Sequence, residues 1–104
     1  MKISKAKENA ANGTSFSGYV ISTTKRDLTE KLGIEPERFD EKVDYFWNLQ
    51  LENGGIFTIY AWTYGRRLGE GEEYDYHIGC HGADLPDGLA KTLRELGFTL
   101  KKVW

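Results

Sequence analysis

Residues 43–64, VDYFWNLQLENGGIFTIYAWTY, constrain the fold more than any other stretch of the chain. Two runs rich in β-branched and aromatic residues flank Glu52-Asn53-Gly54-Gly55, and Asn-Gly is the dipeptide most tolerant of the positive φ angles of a tight turn. The stretch predicts a β-hairpin. Val43, Tyr45, Trp47, Leu49 and Leu51 alternate with Asp44, Phe46, Asn48, Gln50 and Glu52, a period of two that assigns one set to a buried face. Two registers compete. A two-residue turn at Asn53-Gly54 sets Trp47 opposite Tyr60 and Tyr45 opposite Trp62. A three-residue loop Asn53-Gly54-Gly55 with a glycine bulge sets Leu51 opposite Phe57, Leu49 opposite Ile59 and Trp47 opposite Ala61. The second is preferred, because burial at about 25 cal/mol per Å² favours one wholly apolar face, leaving Phe46, Asn48, Gln50, Thr58, Tyr60 and Trp62 on the other.

The rest of the chain is placed around this hairpin. Residues 1–13, with three lysines and little apolar periodicity, read as a flexible N-terminal arm or, alternatively, a short edge strand or swapped segment. Residues 14–104 then form a single domain. FSGYVIS at 16–22 predicts the first strand, with Gly18 at a bulge or close approach. Thr23 or Thr24 caps a short helix over 25–32, with Leu28 and Leu32 on one face and Gly33 ending it. Ile34 and Phe39 anchor the connection to the hairpin. YGRRLGEGEE at 64–73 has the composition of a mobile surface loop that cannot bury itself. YDYHIGC at 74–80 restores alternation and predicts a strand antiparallel to the second hairpin arm. Asp84 is placed to cap a C-terminal helix carrying Leu89, Leu93 and Leu96, with Gly97 just beyond its end. Phe98 and Leu100 pack back on the domain, and Trp104 seals a core edge or reaches a partner. The expected class is α+β: a mostly antiparallel sheet of about four strands packed on the C-terminal helix, with one short helix after the first strand.

Composition narrows the function classes. Fourteen basic and 16 acidic residues, net charge −2, without a basic block, argue against duplex DNA as a partner and equally against a DNA mimic. A single cysteine, Cys80, excludes an internal disulfide and fits a reducing compartment. Neither a signal peptide nor a membrane-length apolar run is present, so a cytoplasmic protein without a membrane partner is expected. Six Tyr, five Phe and three Trp are the compositional anomaly, serving either a small core or a binding surface.

Several side chains carry candidate chemistry. Phe46, Tyr60 and Trp62, beside Asn48 and Thr58 and joined by Tyr76 and His77 from the next strand, suit stacking and edge recognition of a base, at about 1–3 kcal/mol per stacked base. The competing reading makes the same rings a second core face. Arg66 and Arg67 are placed to fork a phosphate, although Glu70, Glu72 and Glu73 oppose an anion there. Gly69-Glu70-Gly71 lacks the following lysine of a P-loop. His77, Cys80 and His81 fall short of a zinc set, and a Cys-His nucleophile pair conflicts with a buried Cys80, so no metal, cofactor or catalytic residue is assigned.

Leu32-Gly33, Lys42-Val43, Trp47, Thr58-Ile59-Tyr60-x-Trp62 and His77-Ile78-Gly79 together resemble a family of small proteins encoded by tailed bacteriophages, over most of the chain. Cys80 stands where that pattern continues with a second glycine. The resemblance implies a phage or prophage product acting inside a bacterial cell, where small single-domain proteins antagonise host defence. The expected function is a non-enzymatic, homo-oligomeric binding protein that sequesters a small host ligand such as a nucleotide signal. Its rival is a protein inhibitor docking on a host defence protein or nucleic-acid enzyme, and a third reading is an enzyme using His77 with Cys80 or His81.

Overall fold

The computed structural model describes residues 2–7, 9–38, 42–82 and 85–103. Phe39 as an anchor, Asp84 as a helix cap and the Trp104 tail therefore lie outside the described residues. Six strands and two helices run in the order β1 (Ile3–Lys5), β2 (Ser15–Thr23), α1 (Lys25–Leu32), β3 (Val43–Leu51), β4 (Ile56–Trp62), β5 (Tyr74–Cys80), α2 (Asp87–Glu95) and β6 (Leu100–Lys102). They make one sheet ordered β1-β3-β4-β5-β2-β6, antiparallel at every pairing. The α+β class and antiparallel sheet are as expected, and the strand count is larger than four because both edges gain a three-residue strand. Ile3–Lys5 pairs with Leu49–Leu51, the edge-strand alternative for the N-terminal stretch. Leu100–Lys102 pairs with β2.

The hairpin loop has three residues, but they are Glu52-Asn53-Gly54. The Gly54 amide donates to Leu51 O (2.8 Å), the Leu51 amide to Gly55 O (2.8 Å), and the Asn53 side-chain oxygen accepts from the Gly55 amide (2.9 Å). Gly54, at φ 92°, supplies the left-handed residue that closes such loops. Trp47 accordingly faces Ile59 and Leu49 faces Phe57. Neither anticipated pairing is observed; the register lies two residues from the preferred one. A slip of two preserves which face each side chain takes, so the division of faces stands from Tyr45 onward, whereas Val43, paired with Trp62 beyond a register shift, leaves the expected buried face for that of Trp62.

One face is the core. Trp47, Leu49, Phe57, Ile59 and Ile78 pack there with Leu28 and Leu32 of α1 and Leu89 and Leu93 of α2. Both helices thus supply the cover, not the C-terminal one alone. Thr24 caps α1 by accepting from the Asp27 amide, and Gly33 ends it at φ 71°. At the end of α2 the Gly97 amide donates to Arg94 O and the Phe98 amide to Leu93 O, the paired bonds of a Schellman motif. No described helix is long and apolar enough to cross a membrane.

The segment 63–73 corrects its compositional reading. Leu68 is buried in the core cluster, and its backbone is tied at both ends: its amide donates to Asp44 Oδ2 (2.6 Å) and its carbonyl accepts from Arg38 Nη2 (2.9 Å). A β-bulge between Val43 and Phe46 interrupts the alternation of β3 and frees Asp44 for this role.

Candidate functional site

The face away from the helices is where β3, β4, β5 and β2 bring polar and aromatic side chains together. Phe46 pairs with Tyr60, Asn48 with Thr58, Thr58 with Gly79 and Tyr60 with His77, so the pleat sends all of them to the same side. Phe46, Asn48, Thr58, Tyr60 and Trp62 line an open cavity of about 310 Å³ together with Gly79, Val43, Thr14 and Ser15. A small-molecule site in this size range is ordinary.

Gly79 is the point of closest approach between β5 and these side chains. A Cβ built there would sit 2.5 Å from Thr58 Oγ1 and 3.4 Å from both the Tyr60 ring and the Ser15 carbonyl. Only a glycine lets the Tyr60 ring and the Thr58 hydroxyl lie this close to β5.

The rings form a continuous row across the sheet. Phe16 stacks on His77 (4.3 Å, 20°), His77 meets Tyr60 edge to face (5.3 Å, 75°), Tyr60 meets Trp62 (6.5 Å, 67°), and Trp62 meets Tyr64 (5.8 Å, 89°). These separations are those of favourable aromatic pairs. Lys42 Nζ lies 6.0 Å from the Trp62 ring centre, adding a cation at that end. Burial holds the Tyr60 hydroxyl above its ordinary pKa. Burial likewise pushes the His77 imidazole down, against the opposing pull of Asp75, and favours its neutral form.

Six of the expected site residues therefore share one face: Phe46, Asn48, Thr58, Tyr60, Trp62 and His77. Tyr76 does not join them. Alternation along β5 sends it to the core, where it is fully buried beside Trp47 and its hydroxyl has no hydrogen-bond partner among the described residues. Arg66 and Arg67 are also elsewhere. Arg66 is bound to Glu72 (2.6 Å) and Arg67 lies 3.8 Å from Asp44, both beside a small cleft at the end of β4. Cys80 is buried with the core cluster while His77 lies on the opposite face, so the conceivable Cys-His pair is split by the sheet. Among the described residues no three His, Cys, Asp or Glu side chains are grouped to hold a metal.

Sequence reasoning missed Gly79, Phe16 and Tyr64. A glycine inside an alternating strand is itself a signal of close approach. Tyr64 could be found only from its backbone: it is a non-glycine residue at φ 55°, and its ring is 78 % exposed.

Comparison with protein-family models, with curated proteins and with solved structures finds no match. The functional reading therefore rests on the geometry of the aromatic face.

Proposed function

We propose that this chain is a non-enzymatic binding module that takes a nucleotide on its open face, the base lying among Phe46, Tyr60 and Trp62 with its edge read by Asn48 and Thr58. The observation that carries the reading is the cavity of about 310 Å³ in which three aromatic rings meet the Asn48 amide and the Thr58 hydroxyl on the face away from the helices. Rings supply stacking that every base accepts, and the amide and hydroxyl supply the donors and acceptors that distinguish base edges. The tailed-phage resemblance supports placing such binding in a bacterial cell, as sequestration of a nucleotide signal used in host defence, and the proposal includes self-association of the chain. Titration calorimetry of the purified protein with a panel of linear and cyclic nucleotides tests it. Heat with at least one member, abolished in Tyr60→Ala and Trp62→Ala, is the expected result; silence across the panel removes the reading.

Tyr64 favours a second reading, docking on a host protein. A strained backbone that displays a 78 % exposed ring at the end of the aromatic row offers an anchor of the kind that dominates protein interfaces. Tyr64→Ser separates the two, since it should leave nucleotide heat intact and lose only a stoichiometric protein partner.

A further inference from the structure

We infer that the ligand is anionic and that its phosphate lies in a second hollow, between the N-terminal turns and β3, held by Lys7 with the Asn9 and Asn12 amides. The inference rests on the reading above, in which the aromatic cavity takes the base. The two hollows adjoin, because Phe46 and Asn48 line both. A ring seated against Phe46 and extended past Asn48 enters a space of about 520 Å³ whose walls include Lys5, Lys7, Asn9 and Asn12.

The chain builds this wall rather than leaving it to chance. β1 pairs Lys5 with the core residue Leu49, so the pleat turns Lys5 toward the helix-covered face, whereas the Ala6 amide donates to Asn48 O at 2.9 Å and so tethers Lys7, the next residue, to the strand that carries the ring. Beyond them the chain curls in successive turns, with the Ala10 amide donating to Lys7 O and the Asn12 amide to Asn9 O. Asn9 takes φ 68°, a left-handed conformation asparagine tolerates better than most residues. Among the described residues no ion pair engages Lys5 or Lys7, whereas Arg66 is held by Glu72 and Arg67 lies beside Asp44. Ammonium groups bind phosphate as point charges, and asparagine amides add donors. One group opposes the anion. Glu37 lines the same hollow, its backbone fixed to Phe46 by hydrogen bonds of 2.8 and 2.9 Å, so the phosphate seats on the lysine side.

The test uses the full chain and four probes, adenosine, guanosine and their 5′-monophosphates, titrated at low and high salt. At low salt each monophosphate should bind about tenfold tighter than its nucleoside, the worth of a charged hydrogen bond, and the preference should shrink at high salt. Lys7→Gln should erase the preference and leave nucleoside affinity unchanged, Glu37→Gln should strengthen the monophosphates alone, and Lys5→Gln, on the other face, should change neither. Lys7 is exposed, so its substitution leaves the fold intact and the test usable. Nucleosides and monophosphates binding equally well would overturn the phosphate site and spare the base site. An equal loss for both classes in Lys7→Gln would also overturn it, since Lys7 would then act through the fold. No response to any of the four probes overturns the phosphate site for purine monophosphates, and the wider nucleotide panel then decides the base site separately.

Discussion

Gly79 links the fold to the site through a single missing atom. Its Cβ position is 2.5 Å from Thr58 Oγ1, a separation real side chains do not adopt, and 3.4 Å from the Tyr60 ring. In Gly79→Ala either Thr58 and Tyr60 move into the cavity or β4 and β5 part, and overpacking of this kind costs about 1–3 kcal/mol. The expected outcome is a lower denaturation midpoint together with a weakened ligand response, measured by urea unfolding and calorimetry. The hydroxyl is the nearest obstacle, so Thr58→Ala should return much of the stability of Gly79→Ala in the double variant. If Thr58→Ala and Gly79→Ala losses simply add, the close approach is not what constrains this position.

Among the elements, the connection between β4 and β5 depends on one carboxylate. Asp44 is nearly sealed from solvent, and burial alone would raise its pKa, yet the Arg38 guanidinium (2.8 and 3.2 Å), the Leu68 amide and the nearby Arg67 together hold it below the ordinary aspartate value. A carboxyl with a lowered folded-state pKa contributes stability that is complete above the unfolded-state value, about 3.9, and is lost as pH falls through the folded-state value. Thermal unfolding should therefore show a fall in stability below about pH 4 that is less steep in Asp44→Ala. That variant, already less stable at neutral pH, leaves the buried Leu68 amide without its acceptor at a cost of about 1–3 kcal/mol. Equal acid slopes in the two proteins would dissociate Asp44 from the loop. This element also marks where the sequence was legible. Period-two alternation in β3, β4 and β5 divided the side chains between the faces, and the cap, the Leu28/Leu32 pair and Gly33 defined α1. The bulge that turns Asp44 toward Arg38 leaves no periodic trace, because a single inserted residue looks like noise in a nine-residue strand. Leu68 was hidden for a related reason: one apolar residue among glycines and charges is too little for composition to reveal as an anchor. Three-residue strands such as β1 and β6 exist only through their partners, so local pattern does not reveal them. The N-terminal wall of the second hollow was illegible with them.

The whole molecule is two-sided, and two tryptophans of the same hairpin report its two sides. Trp47 is 2 % exposed, packed against Tyr76 under the helices, with its indole N–H donating to Ile34 O at 2.8 Å. Trp62 is half-buried on the face without a helix, touching Tyr60, Tyr64 and Lys42. If the helix-covered face holds the fold and the other face holds the ligand, the same substitution must have opposite consequences at the two positions. Trp47→Ala should cost about 3–5 kcal/mol, the range for removing a large buried aromatic, with the Ile34 carbonyl losing its donor as well. Trp62→Ala should cost clearly less in stability, because its ring has solvent on one side, while removing most of the ligand response. Urea unfolding followed by circular dichroism reads the first quantity and calorimetry the second, neither relying on tryptophan fluorescence. Comparable destabilisation by both substitutions would mean that the aromatic row is a second core, covered in the working protein by something other than a small ligand. The sheet would then be sealed on both faces, and the cavity beside Gly79 would mark where that cover seats.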